Sequence, residues 1–275
     1  MIDCDQGAVR AGDVMLGARH WPGAPAGVPV LLVHGLASNA RVWDGVATRL
    51  AAERQVLAVD LRGHGASASV PDPPGSDPTL VAAYDLAWLC ASRRWSQVVV
   101  VGHSWGGNIA LQLAADCPNL VSGLALVDGG WLHESDRWGH DLDVVWRTKA
   151  PPDLTGWDLG GVREVLAGAH PDWPGQAVEA TLANLEQCPD GALRPWLTPE
   201  RHKARWASLL AHRPRELHRR VRCRTVMLAA GDPPDEPTRQ AASSMAAALI
   251  TFPGGEHDLH LQFPSRVAAA IARLG

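Results

Sequence analysis

Val98-Val99-Val100-Val101-Gly102-His103-Ser104-Trp105-Gly106-Gly107, running into Asn108-Ile109-Ala110-Leu111-Gln112-Leu113-Ala114, is the stretch that decides the fold. Four successive valines are β-branched and apolar on both faces, as a strand in the middle of a parallel sheet requires. Beyond Gly107 apolar side chains return at helical spacing, so strand passes to helix with almost no loop. Ser104 stands on that turn with Gly102 two residues before it and Gly106 two after. A turn this sharp forces the serine backbone into a strained conformation, and a Cβ at either flanking position would collide with the neighbouring strand or helix. The strain lifts Ser104 Oγ clear of the sheet, beside a helix N-terminus whose N–H groups favour developing negative charge. Gly-x-Ser-x-Gly alone recurs by chance in glycine-rich turns. The strand before it, the helix after it and the further Gly107 make it specific here.

The chain around this turn has 275 residues, enough for one large α/β domain with an inserted subdomain. Hydrophobic residues make up 46% and charged residues 20%, an ordinary globular balance. A net charge of -4 and a pI near 6.3 give no electrostatic reason to expect a nucleic-acid partner. No apolar run is long enough for a transmembrane helix. The acidic start Met1-Ile2-Asp3-Cys4-Asp5 lacks the plan of a signal peptide, so a cytoplasmic protein is expected. Cys4, Cys90, Cys117, Cys188 and Cys223 are odd in number and scattered, with no C-x-x-C pair, which fits reduced thiols better than disulfides or a zinc site. No metal and no cofactor are expected.

Val9-Arg10 and 13–19 read as an opening hairpin turning at Ala11-Gly12, followed by a Pro/Gly-rich loop over 22–29. Val30-Leu31-Leu32-Val33 is a buried strand ending at His34-Gly35-Leu36, and a helix over 41–52 follows. Val56-Leu57-Ala58-Val59 is the next strand, delivering Asp60-Leu61-Arg62-Gly63-His64-Gly65. A helix is expected over 79–94 with Leu80, Ala83, Leu86, Ala87 and Cys90 as its apolar stripe. After the serine turn, a strand over 121–127 carries Asp128-Gly129-Gly130 to its end. The pattern then breaks over 131–222. Prolines punctuate it, short helices are expected at 142–148, 160–169, 174–185 and 201–211, and seven of the 12 tryptophans fall here. The sheet resumes over 225–230, with a helix to about 248, a short strand over 249–252, the loop Pro253-Gly254-Gly255-Glu256-His257-Asp258 and a final helix. Strand–helix alternation means a mostly parallel, doubly wound sheet with helices on both faces, and ligands in such folds sit beyond the carboxyl ends of the strands. The core is therefore expected at 1–130 and 223–275, with 131–222 covering that edge as a helical lid.

On His34-Gly35-Leu36, Asp60 to Gly65, Gly102 to Gly107 and Gly255-Glu256-His257, in that order, the chain resembles the α/β-hydrolase-fold enzymes over nearly its whole length outside the lid. The resemblance implies a nucleophile at Ser104, activated by a histidine within hydrogen-bond reach. His257 is the favoured base, with His260 its rival. His34, His64 and His103 read as structural, and Asp60 as an acid that organises its loop. The backbone N–H groups of Leu36 and Trp105 are the expected oxyanion hole. Most of the family carries its acid in a Gly-x-x-Asp pattern after the strand at 225–230, but three residues beyond Gly231 stands Pro234. Either neighbour, Asp232 or Asp235, serves if the prolines rebuild that loop. The favoured acid is Asp128, at a strand end that some relatives use instead.

A serine nucleophile argues against haloalkane dehalogenase and epoxide hydrolase chemistry, which needs a carboxylate to form an alkyl-enzyme ester. It favours acyl transfer to a small-molecule substrate: an ester, lactone or thioester, apolar or aromatic to suit a tryptophan-rich lid. Packing within the lid explains many of those tryptophans equally well. His133, Glu134, Asp136 and His140 do not have the spacing of a metal site. C–C bond hydrolysis or cofactor-free perhydrolysis on the same triad is the alternative within enzymes, and a small-molecule receptor with little turnover the alternative of another class. Oligomeric state is not legible.

Overall fold

A computed structural model of the chain describes residues 4–24 and 27–275, and places the four valines in the middle of an eight-stranded sheet. Met1-Ile2-Asp3 of the acidic start, and Pro25 and Ala26 of the loop over 22–29, lie outside the described residues. The strands are β1 (Asp5–Ala11), β2 (Val14–Trp21), β3 (Val30–Val33), β4 (Val56–Val59), β5 (Val98–His103), β6 (Val121–Val127), β7 (Leu185–Gln187), β8 (Leu193–Pro195), β9 (Arg224–Ala230) and β10 (Ala248–Phe252). The helices are α1 (Asp44–Leu50), α2 (Pro78–Ser92), α3 (Trp105–Asp116), α4 (Glu134–Trp138), α5 (Leu142–Lys149), α6 (Leu159–Ala169), α7 (Gly175–Leu182), α8 (Pro199–Ala211), α9 (Pro214–Leu217), α10 (Glu236–Ser244), α11 (Leu259–Gln262) and α12 (Pro264–Ala272). In the main sheet the order is β1-β2-β4-β3-β5-β6-β9-β10. From β4 to β10 all neighbours are parallel, while β2 pairs antiparallel with β1 and β4.

Both faces of this sheet are covered. Val98 and Val100 pack with Leu86, Ile109 and Leu113 on one side, and Val99 and Val101 with Val46, Leu50, Val267 and Ile271 on the other. All four valines are fully buried, each contributing about 1.5–3 kcal/mol relative to an exposed side chain. The alternation of strand side chains therefore assigns α2, α3 and α10 to one layer and α1 and α12 to the other, giving the expected doubly wound α/β fold.

Three local expectations need correction. On α2 the inward stripe runs through Ala82, Ala83, Leu86, Leu89 and Cys90, whereas Leu80 faces out. At about 100° per residue Leu80 and Leu89 stand on opposite faces, and the face with Ala82, Leu86, Leu89 and Cys90 is the one packed into the core; the Asp77 carboxylate caps the N–H groups of Thr79 and Leu80, with Pro78 at the first position. The helix expected from 41 begins as a tight 3-10 turn, Ala40–Trp43, before α1. Between β6 and β9, the segment expected to be helical also contains the β7–β8 hairpin, whose Leu185–Gln187 and Leu193–Pro195 are too short to leave a β-branched signature.

Candidate active site

Ser104 has φ +52° and ψ −120°, a left-handed conformation that costs a non-glycine residue on the order of 1–3 kcal/mol. The elbow is held by close backbone approach. A Cβ at Gly102 would collide with the Gly106 carbonyl, and one at Gly106 with the Val33 carbonyl oxygen. The Ser104 N–H donates to the Val127 carbonyl at 3.1 Å, tying the turn to the end of β6. Ser104 occupies the N-cap position of α3, where a serine hydroxyl ordinarily accepts from the first helical turn, yet it makes no such bond. Its Oγ is left for other work.

Leu36, Ser104, Trp105, Asp128 and His257 all line one cavity of about 670 Å³ at the carboxyl ends of the parallel strands. Leu36 is brought there by Gly35, where a Cβ would stand 3.2 Å from Ser104 Cβ and 2.9 Å from His103 Nδ1. Among the described residues, neither the Leu36 nor the Trp105 backbone N–H has a protein acceptor. The Trp105 indole is buried and donates to Thr79 Oγ1 at 2.9 Å.

His257 Nδ1 lies 2.7 Å from Asp128 Oδ2, and the other Asp128 oxygen accepts from the Ala230 N–H at 2.8 Å. Donation from Nδ1–H to the carboxylate fixes the tautomer and leaves Nε2 as the imidazole's acceptor. Burial pulls the His257 pKa down, but the Asp128 hydrogen bond and charge outweigh it, and the pKa is raised above the ordinary histidine value. Asp128 itself has φ +43°, and the following Gly129 packs so closely that a Cβ would sit 2.6 Å from Ser104 Cα. The structure thus brings Ser104, His257 and Asp128 to one cavity. It does not bring Asp232 or Asp235 to the histidine: Asp232 is exposed beside Thr251, and Asp235 caps α10 by accepting from the Thr238 N–H at 2.8 Å.

The rival base, His260, is buried beneath the cavity, its ring 4.4 Å from that of Trp43 and 4.3 Å from that of His103. Burial pushes His34, His64, His103 and His260 below the ordinary range, three of them far below, so they are neutral packing groups. His34 shows the pattern: Nδ1 donates to the Gly35 carbonyl at 2.7 Å while Nε2 accepts from the Leu61 N–H at 3.0 Å. Asp60 accepts from the Ala40 and Ala66 N–H groups at 2.7 and 2.9 Å, organising its loop. Ligand atoms of His103, Asp258 and His260 lie within 4.8 Å of one another. However, His103 Nε2 carries its proton to the His257 carbonyl at 3.0 Å, and its other nitrogen is packed against Gly35. That cluster is not arranged to grip an ion.

Of the seven tryptophans between 131 and 222, only Trp131, Trp138 and Trp206 line the cavity. Trp173 stacks on His170 with 4.0 Å between ring centres and Trp146 meets His202, so packing accounts for these. The sequence reading missed that charge shares this wall: Glu134, Arg137 and Lys149 stand on it with the tryptophans. Their placement, Glu134 and Arg137 three apart on α4 and Lys149 at the end of α5, is ordinary for an exposed face and carries no signal by itself. Burial raises the Glu134 pKa above the usual carboxylate range, against the pull of nearby Arg137.

Residues 30–270 match the model of the Alpha/beta hydrolase family. The chain belongs to this family. It is 30% identical to the 2-(acetamidomethylene)succinate hydrolase of Mesorhizobium japonicum over 188 residues, 68% of this chain and 64% of that protein. It is 39% identical to the lipase LipV of Mycobacterium tuberculosis over 177 residues, 63% of this chain and 62% of the lipase. A crystal structure of E-2-(acetamidomethylene)succinate hydrolase superposes with a TM-score of 0.81 at 23% identity, covering 98% of both chains, which establishes the common fold. The chain spans about a third (35%) of the length of the curated relatives that it matches at 36% identity. Among the described residues no helix is long and apolar enough to cross a membrane.

Proposed function

We propose that this α/β hydrolase is a serine hydrolase that cleaves a carboxylic ester, lactone or thioester of a small-molecule substrate through an acyl-enzyme. The observation that carries the reading is the pairing of an uncapped, strained Ser104 with the His257–Asp128 couple at one cavity. His257 Nε2 takes the Ser104 proton as Oγ attacks the substrate carbonyl. The oxyanion that forms is held by the unpartnered N–H groups of Leu36 and Trp105, each such donor being worth about 2.7–4 kcal/mol in the transition state. Collapse expels the leaving group, which receives the proton from His257. Water, deprotonated by the same nitrogen, then cleaves the acyl-enzyme and regenerates Ser104. Asp128 holds the tautomer and offsets the imidazolium charge. Protons and electron pairs pass among serine, histidine and water alone, so the reaction calls for no cofactor. In this reading 1–130 and 223–275 form the catalytic core and 131–222 the lid, as the presence of Trp131, Trp138 and Trp206 on the cavity wall supports. The lipase and hydrolase names of the relatives are in keeping with it.

A fluorophosphonate probe tests the proposal. It is expected to label wild-type protein at Ser104, with labelling lost in Ser104→Ala and slowed in His257→Ala. A p-nitrophenyl butyrate assay is expected to release nitrophenol with the same dependence. A folded wild-type protein that neither labels nor turns over would refute the serine-hydrolase reading and leave the receptor alternative standing.

A further inference from the structure

Apart from the His257–Asp128 pair and the helix-capping Asp235, the charged groups on the cavity wall are Glu134 and Arg137 on α4 and Lys149 at the end of α5. Five other cations of the same segment are paired with carboxylates. Arg163 pairs with Glu179, Arg194 with Glu186, Lys203 with Asp143, Arg205 with Asp72 and Arg215 with Asp136. Among the described residues, Arg137 and Lys149 have no carboxylate within 4.0 Å and no hydrogen-bond acceptor on the protein. What fixes them is the indoles: the Arg137 guanidinium lies 5.0 Å from the Trp138 ring centre, and Lys149 Nζ lies 4.2 Å from that ring and 6.0 Å from that of Trp206.

A cation over an aromatic face is held in place, but none of its N–H donors is satisfied. Lys149 is half-buried where Arg137 is exposed, and an apolar substrate packed against Lys149 would strip water from its donors and give nothing back, which is costly. A substrate carrying its own oxyanion reverses that balance. It replaces the lost water with charge-assisted hydrogen bonds. Within the Glu134, Arg137 and Lys149 cluster one negative charge faces two positive ones, which leaves one positive charge for a substrate anion to meet.

We propose that Arg137 and Lys149 form an anion subsite of the cavity, and that the substrate carries an ionised carboxylate besides its scissile acyl group. The proposal rests on the serine-hydrolase reading and replaces the expectation of a purely apolar or aromatic substrate. Trp138 and Trp206 then hold the cations and flank the chain that joins the two ends of the substrate.

Two substrate pairs test it and locate the charge. Mono-p-nitrophenyl adipate and p-nitrophenyl hexanoate differ by a carboxylate in place of a methyl group on the acyl side. 4-Acetoxybenzoate and 4-methylphenyl acetate differ in the same way on the leaving group. In one pair kcat/KM is expected to favour the charged member by about tenfold or more, carried mainly by KM, as one charge-assisted hydrogen bond provides. The ratio is expected to fall toward one in Arg137→Gln/Lys149→Gln. A ratio of one or less in both wild-type pairs overturns the proposal, as does a ratio unchanged in the double variant. A readout without turnover separates the two claims: adipate binding to Ser104→Ala, followed by quenching of indole fluorescence. Hexanoate turnover without adipate binding removes the subsite and leaves the hydrolase. Saturable adipate binding, lost in the charge-removed background, with no labelling of wild-type Ser104 removes the hydrolase and leaves the subsite.

Discussion

Replacing Asp128 by asparagine changes one atom, and the structure makes the consequence directional. Asp128 serves two donors, the His257 Nδ1–H at 2.7 Å and the Ala230 N–H at 2.8 Å. An asparagine has one oxygen to offer. If that oxygen keeps the Ala230 N–H, the amide NH₂ faces His257 and can be satisfied only by a ring nitrogen that accepts. The proton then moves to Nε2, the atom that must receive the Ser104 proton, and the base is in the wrong tautomer. If the amide flips, its NH₂ opposes the Ala230 N–H and a buried donor is left unpaired, at about 1–3 kcal/mol. The first arrangement is cheaper, and a wrong tautomer of this kind lowers turnover about 10⁴-fold in serine proteases, equivalent to roughly 5.5 kcal/mol of barrier. The assay is p-nitrophenyl ester hydrolysis, paired with the rate of fluorophosphonate labelling and a melting curve to show that the variant is folded. Asp128→Asn is expected to lose 10³- to 10⁴-fold in kcat/KM, while Asp232→Asn and Asp235→Asn stay within about tenfold. A folded Asp128→Asn within tenfold of wild type would refute the reasoning, and so would an equal loss in Asp235→Asn.

The pH profile carries the same logic. In the proposed mechanism His257 acts as a base only when neutral, and its pKa is raised, so kcat/KM is expected to be lost as pH falls through a value above the ordinary histidine one. Glu134 also raises that pKa by its charge, so Glu134→Gln is expected to move the acid limb to lower pH with little change in the plateau; an upward move would contradict the placement. Gly129→Ala puts a methyl group 2.6 Å from Ser104 Cα, against backbone that cannot swing aside. It is expected to cost about 1–3 kcal/mol in urea unfolding and to slow labelling of Ser104, and unchanged labelling would show that the turn can give. Arg205, 1% exposed on α8, donates to the Arg62 carbonyl at 3.0 Å and pairs with Asp72 at 2.7 Å. Arg205→Met leaves the mostly covered Asp72 carboxylate unpaired, and about 3 kcal/mol of stability is expected to go with it, checked by chemical denaturation.

The parallel sheet was legible because its strands are short runs of Val, Leu and Ala that bury both faces; the four valines alone require helices above and below. Ser104 and His257 were legible for a related reason, since turns this tight admit few residues and glycines mark them. The packing phase of α2 was not, because Leu80 and Leu89 are alike in hydropathy but lie on opposite faces of the helix, and only packing against the sheet decides which turns inward. Nor was the charged wall of the cavity. Arg137 and Lys149 owe their setting to Trp138 and Trp206, and Trp206 is far along the chain on α8, so the association exists only once α4, α5 and α8 have packed together.

Asp128, the proposed acid, shows how strand order, and not sequence order, limits where such a group can stand. β6 and β9 are neighbours, with His257 delivered by the loop after β10 on the far side of β9. A carboxylate at the end of β6 can therefore reach across the tip of β9, and Asp128 does so: its Oδ1 takes the N–H of Ala230, the last residue of that strand, and its Oδ2 takes His257. The place that a residue three beyond Gly231 would fill is occupied from the neighbouring strand, and the chain carries Pro234 there instead. Relieved of holding the histidine, Pro233, Pro234 and Asp235 become part of the cavity wall, and Asp235 starts α10. Moving the acid back should then take more than a carboxylate at 234: whatever stands at 128 must also stop holding the imidazole. Pro234→Asp in an Asp128→Asn background is expected to recover less than a tenth of the lost kcat/KM, because the Ala230 N–H still claims the asparagine oxygen and holds the imidazole in its wrong tautomer. Full recovery in that double variant would mean that the tip of β9 imposes no preference, and that the position of Asp128 is incidental to the chemistry.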